Sequence, residues 1–356
     1  MKVQTEILKE MVSKAEKASS NNKSIPITQL MCIRVVDNEL TLITTDATNY
    51  LYVSREIDED DFYVVVHVEQ FSKLVSKLSS DTVELTLTDR SLEVKANGTY
   101  SIELPLDENG SPVVYLDPLA KFNDIDYDKS ISKEAIDTIL EYVKPSIETN
   151  DTSSETINYF SGKTVIATNQ YKIAQYLDGE VLPDEYLISA ELMDLLGLIC
   201  EDSVQYMIDD DVIVAHSNDS TVYGILESID EYPIDIVEKL LDEKFDSYCK
   251  LSRQELLNAL ERIALFIGKY DNKTIRLTFN KNGVNISNKS DKSVELVEYL
   301  ESKKHKDFEC LIDVELLMSQ LKAYSSDNIE LHYGKEHSIK LVAKDGVRQI
   351  IALNIQ

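Results

Sequence analysis

The chain has 356 residues, of which 43% are hydrophobic and 28% are charged, and this balance is ordinary for a folded protein. No apolar run approaches the roughly 18–20 residues that span a bilayer, and the first residues lack the apolar core of a secretory signal. Lys and Arg number 36 against 64 Asp and Glu, giving a net charge of −28. This charge excludes a generally basic nucleic-acid coat protein, but not a protein that meets DNA through one less acidic surface.

The first elements along the chain form a pattern that then recurs. Residues 5–18 predict an amphipathic helix, because their apolar side chains recur every three or four positions. Two strands follow, at 31–36 and 40–43. A segment that starts at Asp61 then predicts a strand, a second amphipathic helix and a hairpin with alternating apolar residues.

The strand–helix–hairpin segment starts again at Asp184 and at Asp307, so the three copies lie 123 residues apart. A helix precedes each copy, and the third begins with a capping box of Ser252 and Glu255. Solenoid repeats have periods of about 20–50 residues, so each copy here is a complete domain. The sequence therefore predicts an α+β protein with three tandem domains, each of two helices packed on antiparallel sheet. The predicted domains are 1–126, 127–245 and 246–356, with acidic connectors at 107–128 and 230–246.

The length, the acidity and the three copies resemble the bacterial sliding clamp, the beta subunit of DNA polymerase III, over the whole chain. The residues that carry the resemblance are Ser24–Ile27, Thr44–Asp46, Ala167–Ala174, Asp230–Pro233 and the C-terminal strand Gln349–Gln356. Their order and spacing carry the resemblance, since no single motif among them is highly specific. Departures from the family's usual residues indicate a divergent member.

The resemblance implies a head-to-tail homodimer that forms a six-domain ring, with helices around the hole and sheets outside. Such a ring is a processivity factor: it encircles double-stranded DNA without sequence preference and tethers DNA polymerase and clamp-loader peptides. It implies no catalysis, no cofactor, no metal and no membrane contact, and a cytoplasmic, nucleoid-associated protein. Four widely spaced cysteines without a CxxC pair also fit a reducing cytosol.

Charge supports a DNA-facing helical surface. The six helix windows 2–18, 68–80, 132–144, 189–202, 252–269 and 313–324 together carry a net charge of −3, whereas the remaining residues carry −25. The window 189–202 is the exception, since it holds four acidic residues and no basic one. Basic side chains of the helices and of the loop before the first strand are expected to touch phosphates. These candidates are Lys9, Lys14, Lys17, Lys23, Lys73, Lys77, Arg253, Arg262 and Lys322.

The resemblance also implies a groove between the second and third domains that captures partner peptides. Its expected residues are Thr168, Gln170, Tyr171, Lys172, Ile173, Tyr232, Pro233, Tyr270, Asp313, Leu316, Ile350, Ile351, Ala352 and Leu353, with Ile157 as a further candidate. The chain departs from the family at Gln170, where Gly is usual, and at 352–355, where the family has a methionine-rich tail. The pocket is therefore expected to be tuned differently, and plain strand core is the alternative interpretation of Ile350 and Ile351.

The same resemblance places the ring joints. Tyr100 and Ile102 on an edge strand of one chain are expected to face Leu265 and Phe266 of the other. Two such joints close a two-fold ring and cover edge strands that would otherwise be open to aggregation.

Other functions have weaker support. Asp209–Asp211 could bind a cation, but its position between two apolar strands favours a tight turn. His332 and His337 flank Gly334 and favour a surface pair over a metal site. No nucleotide-binding loop or nucleophile elbow is present in the sequence. The main alternative to a clamp is an acidic three-domain scaffold that binds peptides and never encircles DNA.

Overall fold

We describe the fold from a computed structural model of the chain. The structure describes all residues except 21–23, 123–124, 148–157, 163, 170, 178–181, 183, 231, 269–272, 290–291, 304, 344–345 and 354–356.

One element order, β-α-β-β-β-β-α-β-β-β, occurs three times along the described chain. The first copy contains β1 (Lys2–Gln4), α1 (Thr5–Ala15), β2 (Leu30–Val36), β3 (Glu39–Thr45), β4 (Tyr50–Glu56), β5 (Phe62–His67), α2 (Val68–Val75), β6 (Thr82–Leu87), β7 (Ser91–Lys95) and β8 (Thr99–Glu103). The second contains β9 (Lys129–Ser132), α3 (Lys133–Thr138), β10 (Asn158–Ser161), β11 (Val165–Thr168), β12 (Lys172–Tyr176), β13 (Tyr186–Ser189), α4 (Ala190–Ile199), β14 (Ser203–Asp209), β15 (Val212–Ser217) and β16 (Ser220–Ile225).

A connecting helix, α5 (Ile234–Leu241), leads to the third copy. This copy contains β17 (Ser247–Ser252), α6 (Arg253–Ala264), β18 (Thr274–Phe279), β19 (Gly283–Asn288), β20 (Val294–Glu298), β21 (Glu301–Lys303), β22 (Phe308–Asp313), α7 (Val314–Ala323), β23 (Asn328–Tyr333), β24 (Ser338–Val342) and β25 (Val347–Ala352). The short strand β21 is its one addition to the shared order within the described residues. The repeated α+β order is therefore confirmed, while the residues that bound each domain stay a prediction.

The chain forms two compact units. The first consists of residues 1–136 and 191–226, and the second of residues 137–190 and 227–356, so the middle copy contributes to both.

The first unit contains two antiparallel sheets. Its large sheet has the strand order β5-β2-β3-β4-β16-β15-β14-β9, and its small sheet has the order β1-β6-β7-β8. The pairing of β4 with β16, in which Val53 lies opposite Ser220, joins the first copy to the second. Helix α1 buries Leu8, Met11 and Val12 at the predicted spacing of three to four residues.

The second unit has the same plan. Its large sheet has the order β13-β10-β11-β12-β25-β24-β23-β17-β21, and its small sheet has the order β20-β19-β18-β22. The pairing of β12 with β25 joins the second copy to the third. Helix α6 begins as the capping box predicts, because the Ser252 side chain accepts a hydrogen bond from the Glu255 amide.

The connectors differ from the sequence prediction. The acidic stretch 230–246, read as a plain connector, contains helix α5, whose Val237 and Leu241 are buried. The first predicted helix window, 2–18, begins with strand β1 instead. After α3 the backbone continues as a π-helical turn over Ile139–Val143. Asp210 lies at φ 53° in the turn between β14 and β15, as the tight-turn interpretation predicts.

Candidate partner cleft and DNA-facing surfaces

Strand pairing brings the two expected walls of the cleft together. In the antiparallel register of β12 and β25, Lys172 lies opposite Ile351 and Ile173 opposite Ile350. The pairing extends one residue further, since the Ala352 amide donates to the Tyr171 carbonyl at 2.8 Å. Residues almost 180 positions apart in sequence therefore share one sheet.

The turn before β12 is held by side chains and presents Tyr171. The Asn169 side chain accepts hydrogen bonds from the Tyr171 amide at 3.2 Å and the Lys172 amide at 2.8 Å. The Thr168 hydroxyl donates to the Lys172 carbonyl at 2.9 Å. This arrangement leaves the Tyr171 side chain 61% exposed. Thr168 is buried and shapes the turn, so among the described residues of this wall Tyr171 is the side chain that is open to a ligand.

The floor of the expected cleft is densely packed. Ile173, Tyr232 and Ile350 belong to one buried apolar cluster, which Val237 and Leu241 of α5 join. The Tyr232 ring stacks on Phe160 with the ring centroids 5.4 Å apart. Ile351 is fully buried and Leu353 is 7% exposed. The two isoleucines therefore have the placement of strand core, while Pro233, Leu316 and Ala352 are half-buried at the margin.

Lys172 is buried and connects the two copies. Its Nζ donates to the Pro145 carbonyl and to the Ser319 hydroxyl of α7, the latter at 3.3 Å. Asp313, at the start of α7, accepts hydrogen bonds from the amides of Glu315 and Leu316 and so caps the helix. Lys172 and Asp313 therefore position α7 and its Leu316 relative to the turn.

The first copy offers a polar groove between α1 and α2. Lys17 and Lys73 line its wider end together with His67, and Lys9 lines the adjoining part. Lys17 and Lys77 are exposed, and within the described residues no carboxylate lies at ion-pairing distance from either of them.

Most of the other candidate cations already have carboxylate partners. Lys9 pairs with Glu6 at 3.0 Å and Lys14 with Asp219 at 2.8 Å; Lys73 pairs with Glu69, Arg262 with Glu295 and Lys322 with Glu261. Lys14–Asp219 is largely buried, but the other four pairs are more exposed, and exposed pairs are worth about 0–1 kcal/mol each, so a phosphate can replace their carboxylates. The described helices therefore present cations whose charge is largely balanced.

Arg253 has a structural position. Its guanidinium donates to the Ser326 carbonyl at 2.8 Å and to the Leu321 carbonyl at 3.1 Å. These carbonyls lie at and just beyond the C-terminal end of α7, where backbone acceptors lack helical partners. Arg253 therefore holds the start of α6 against the C-terminal end of α7.

The expected ring ends are outer strands of the two small sheets. Strand β8, with Tyr100, is last in the sheet β1-β6-β7-β8, and strand β20 is first in β20-β19-β18-β22. Tyr100 is 39% exposed, but Ile102 is only 2% exposed. Leu265 and Phe266, just beyond α6, are 81% and 59% exposed. Ile102 is therefore a core residue, while Tyr100, Leu265 and Phe266 are accessible.

Comparison with known proteins identifies this architecture. Residues 1–110 match the family model of the DNA polymerase III beta subunit, N-terminal domain. The beta subunit from Streptococcus pyogenes superposes with a TM-score of 0.84 at 14% identity, covering 100% of this chain and 99% of that one. The chain has the sliding-clamp fold.

Two further clamp structures agree over the full length. The sliding clamp from Bacillus subtilis has a TM-score of 0.82 at 16% identity and covers 100% of this chain and 98% of that one. The beta subunit from Thermotoga maritima has a TM-score of 0.80 at 17% identity, with coverage of 100% and 99%. No curated protein matches the chain by sequence. The sliding-clamp fold that the sequence predicted is therefore confirmed over the whole chain, and residues 1–110 also match the clamp family's N-terminal domain.

Some expected site residues lie outside the described part of the chain, namely Lys23, Ile157, Gln170 and Tyr270. Among the described residues, no group of three or more His, Cys, Asp or Glu side chains could hold a metal ion. No helix in the described ranges is long and apolar enough to cross a membrane.

Sequence reasoning missed several residues of these clamp-fold surfaces. The Asn169 side chain holds the turn before β12. The sequence feature that could have indicated this role is the position of Asn169 directly before that turn. Val294 and Leu296 on β20 are 55% and 48% exposed beside the expected ring end. Val297 of the same strand is buried on the opposite face. The sequence signal for the exposed apolar face was that apolar residues occupy both alternating sets of positions in this strand.

Proposed function

We propose that the chain is a DNA sliding clamp that encircles duplex DNA as a head-to-tail dimer and tethers DNA polymerase and other partners through the cleft of the second unit. The observation that carries the proposal is the threefold element order together with a clamp superposition that covers the whole chain. Three domains per chain fit a ring of two chains rather than three.

Balanced helix charges fit topological rather than adhesive binding. Affinity for DNA that rests on phosphate contacts falls steeply with salt, in proportion to the number of contacts. A surface whose lysines and arginines are mostly paired with carboxylates makes few net contacts. Such a protein binds open DNA weakly, so its residence on DNA must come from closure of the ring. The peptide-binding scaffold has no need of closure, and retention on circular DNA separates the two functions.

The accessible cleft residues suit an apolar peptide side chain. Tyr171 offers an exposed ring, and Leu316 and Pro233 supply half-buried apolar contact. Aromatic residues in such positions often dominate binding energy. The buried Lys172 and the capping Asp313 keep the two sides in register, and pre-organised sites lose less entropy on binding.

Replacing Tyr171 and Leu316 together by Ala is expected to weaken binding of a polymerase-derived peptide at least tenfold, equivalent to about 1.4 kcal/mol. The measurement is fluorescence anisotropy with a labelled peptide from the polymerase of the same cell that binds the unchanged chain. Leu87→Ala is the control, since Leu87 is 46% exposed on β6 of the other unit. Equal affinity of the double variant and the control would remove this cleft from the proposal.

A further inference from the structure

The first connector contains an extended segment with an unusual exposed face. Val114 and Leu116 are 78% and 66% exposed, whereas Tyr115 between them is 6% exposed. Val113 and Tyr115 pack on the apolar cluster of the large sheet in the first unit. Side chains of an extended chain alternate between two faces, so Val114 and Leu116 present a two-residue apolar strip to solvent.

Hydrogen bonds and an ion pair hold the segment in place. The Tyr115 hydroxyl donates to the Leu30 carbonyl at 3.2 Å. Asp117 accepts a hydrogen bond from the Tyr52 hydroxyl at 2.8 Å and pairs with Arg34. Burial of the ring raises the pKa of Tyr115 well above its ordinary value, so the hydroxyl remains protonated as a donor. The exposed strip is therefore a fixed surface.

The backbone amides on one edge of the segment have hydrogen-bond acceptors, whereas those on the other edge have none among the described residues. The Val113 amide donates to the Pro105 carbonyl at 3.0 Å, and the Tyr115 amide donates to the Tyr63 hydroxyl at 2.8 Å. Successive amides of an extended chain point to opposite edges, so the amides of Val114 and Leu116 point away from these acceptors. Within the described residues neither amide has a hydrogen-bond acceptor. Open edges of this kind pair readily with another strand.

The surroundings of the strip are apolar and acidic. Tyr63, whose hydroxyl contacts the Tyr115 amide, is 42% exposed and extends the apolar surface. Asp107 and Glu108 are exposed in the turn that precedes the segment, and Asp61 is exposed at the start of β5. The chain as a whole carries a net charge of −28. A basic partner is attracted to this edge, and a second copy of this acidic chain is repelled.

We propose that residues 112–117 form a docking edge for an extended, basic peptide segment of a partner protein. The segment adds as a strand, accepts hydrogen bonds from the amides of Val114 and Leu116, and places its apolar side chains beside theirs. This mode of recognition combines backbone hydrogen bonds with contacts to alternate side chains. The edge belongs to the first unit and does not depend on the peptide cleft or on DNA.

The test uses the full chain and a fluorescein-labelled heptapeptide of alternating Lys and Val, with alternating Glu and Val as the comparison peptide. The unchanged chain is expected to bind the Lys–Val peptide saturably and at least tenfold more tightly than the Glu–Val peptide. The Val114→Asp, Leu116→Asp double variant is expected to lose at least tenfold in affinity. It makes the chain more acidic, so non-specific attraction of a basic peptide would change affinity in the opposite direction.

Two controls sharpen the result. Leu87→Asp adds a charge at an exposed apolar residue elsewhere and is expected to leave binding unchanged. Val114→Pro keeps an apolar side chain but removes the open amide, and it is expected to weaken binding in a chain whose circular dichroism is unchanged. The proposal is overturned if the unchanged chain shows no saturable binding, if the double variant binds as well as the control, or if the edge instead mediates self-association that the double variant abolishes.

Discussion

Replacement of Leu265 and Phe266 together by Asp is expected to convert the proposed head-to-tail dimer into a folded monomer. The two side chains are 81% and 59% exposed, so the single chain tolerates charges there. In the dimer they would lie against the Tyr100 edge of the partner, with Val294 and Leu296 beside them. Hot-spot residues at the centre of an interface cost about 2 kcal/mol or more when truncated, and burial of two unpaired carboxylates adds a desolvation cost. Dimer affinity is therefore expected to fall at least about a thousandfold.

Sedimentation velocity at micromolar concentration measures this change. The matched control carries Val36→Asp and Ile236→Asp, two substitutions at exposed apolar residues, 51% and 62% exposed, that lie on large-sheet strand β2 and on helix α5, outside the two small sheets. The control is expected to remain dimeric. A double variant that sediments as the unchanged dimer would show that the chains associate through another surface.

Asp219→Asn is expected to destabilise the first unit by about 2 kcal/mol, because charge-assisted hydrogen bonds contribute about 1.5–3 kcal/mol each. Asp219 lies in the turn between β15 and β16 and accepts hydrogen bonds from Lys14 at 2.8 Å, from Arg55, and from Ser220 at 2.7 Å. Its carbonyl also accepts from the Ser54 amide at 2.8 Å. One carboxylate thus holds α1 and β4 of the first copy against the second copy. Asparagine keeps the shape but leaves two cations without their anion.

The effect depends on pH in a defined direction. Burial alone would raise the pKa of Asp219, but the hydrogen bonds from Lys14, Ser220 and Arg55 outweigh it and hold the pKa below the ordinary 3.8. A carboxyl whose pKa is lowered by folding stabilises the folded state fully above its unfolded pKa, and this stabilisation is lost as the pH falls through the folded pKa. The gap between the unchanged chain and Asp219→Asn is therefore expected to be constant near neutrality and to close at acidic pH below about 4.

Urea unfolding at several pH values measures both the loss of unfolding free energy and its pH dependence. Asp209→Asn is the control, since Asp209 ends β14 with an exposed side chain. If the two variants have equal unfolding free energies at pH 7, the carboxylate does not hold the copies together. This position also assigns Lys14 a structural partner, which the sequence interpretation of Lys14 as a DNA contact did not foresee.

Local patterns in the sequence predicted the local structure well. The spacing of Leu8, Met11 and Val12 predicts the buried face of α1, and Ser252 predicts the start of α6. The 123-residue offset predicted three copies because a duplicated domain keeps its internal distances. Helix α5 was missed because its acidic residues dominate the connector, although Ile234, Val237 and Leu241 have helical spacing.

Long-range partners could not be read from the sequence. The pairing of β12 with β25 joins strands almost 180 residues apart, and many registers would satisfy the same alternation. The carboxylate partners of Arg262 and Lys322 lie on other elements, at Glu295 and Glu261. Lys172 was expected in the wall of the cleft, and the structure buries its side chain against α7. Each of these facts depends on tertiary packing that composition and spacing do not encode.

The most direct test of the clamp proposal is retention on DNA of different topology. Chains loaded onto a nicked circular plasmid are separated from free protein by gel filtration at 150 mM salt, and a restriction enzyme then cuts the circle. We expect the protein to remain on the circle and to leave within the time of the digestion once the DNA is linear, because a ring slides off open ends. Equal retention of the loaded protein on circular and linear DNA would contradict an encircling clamp.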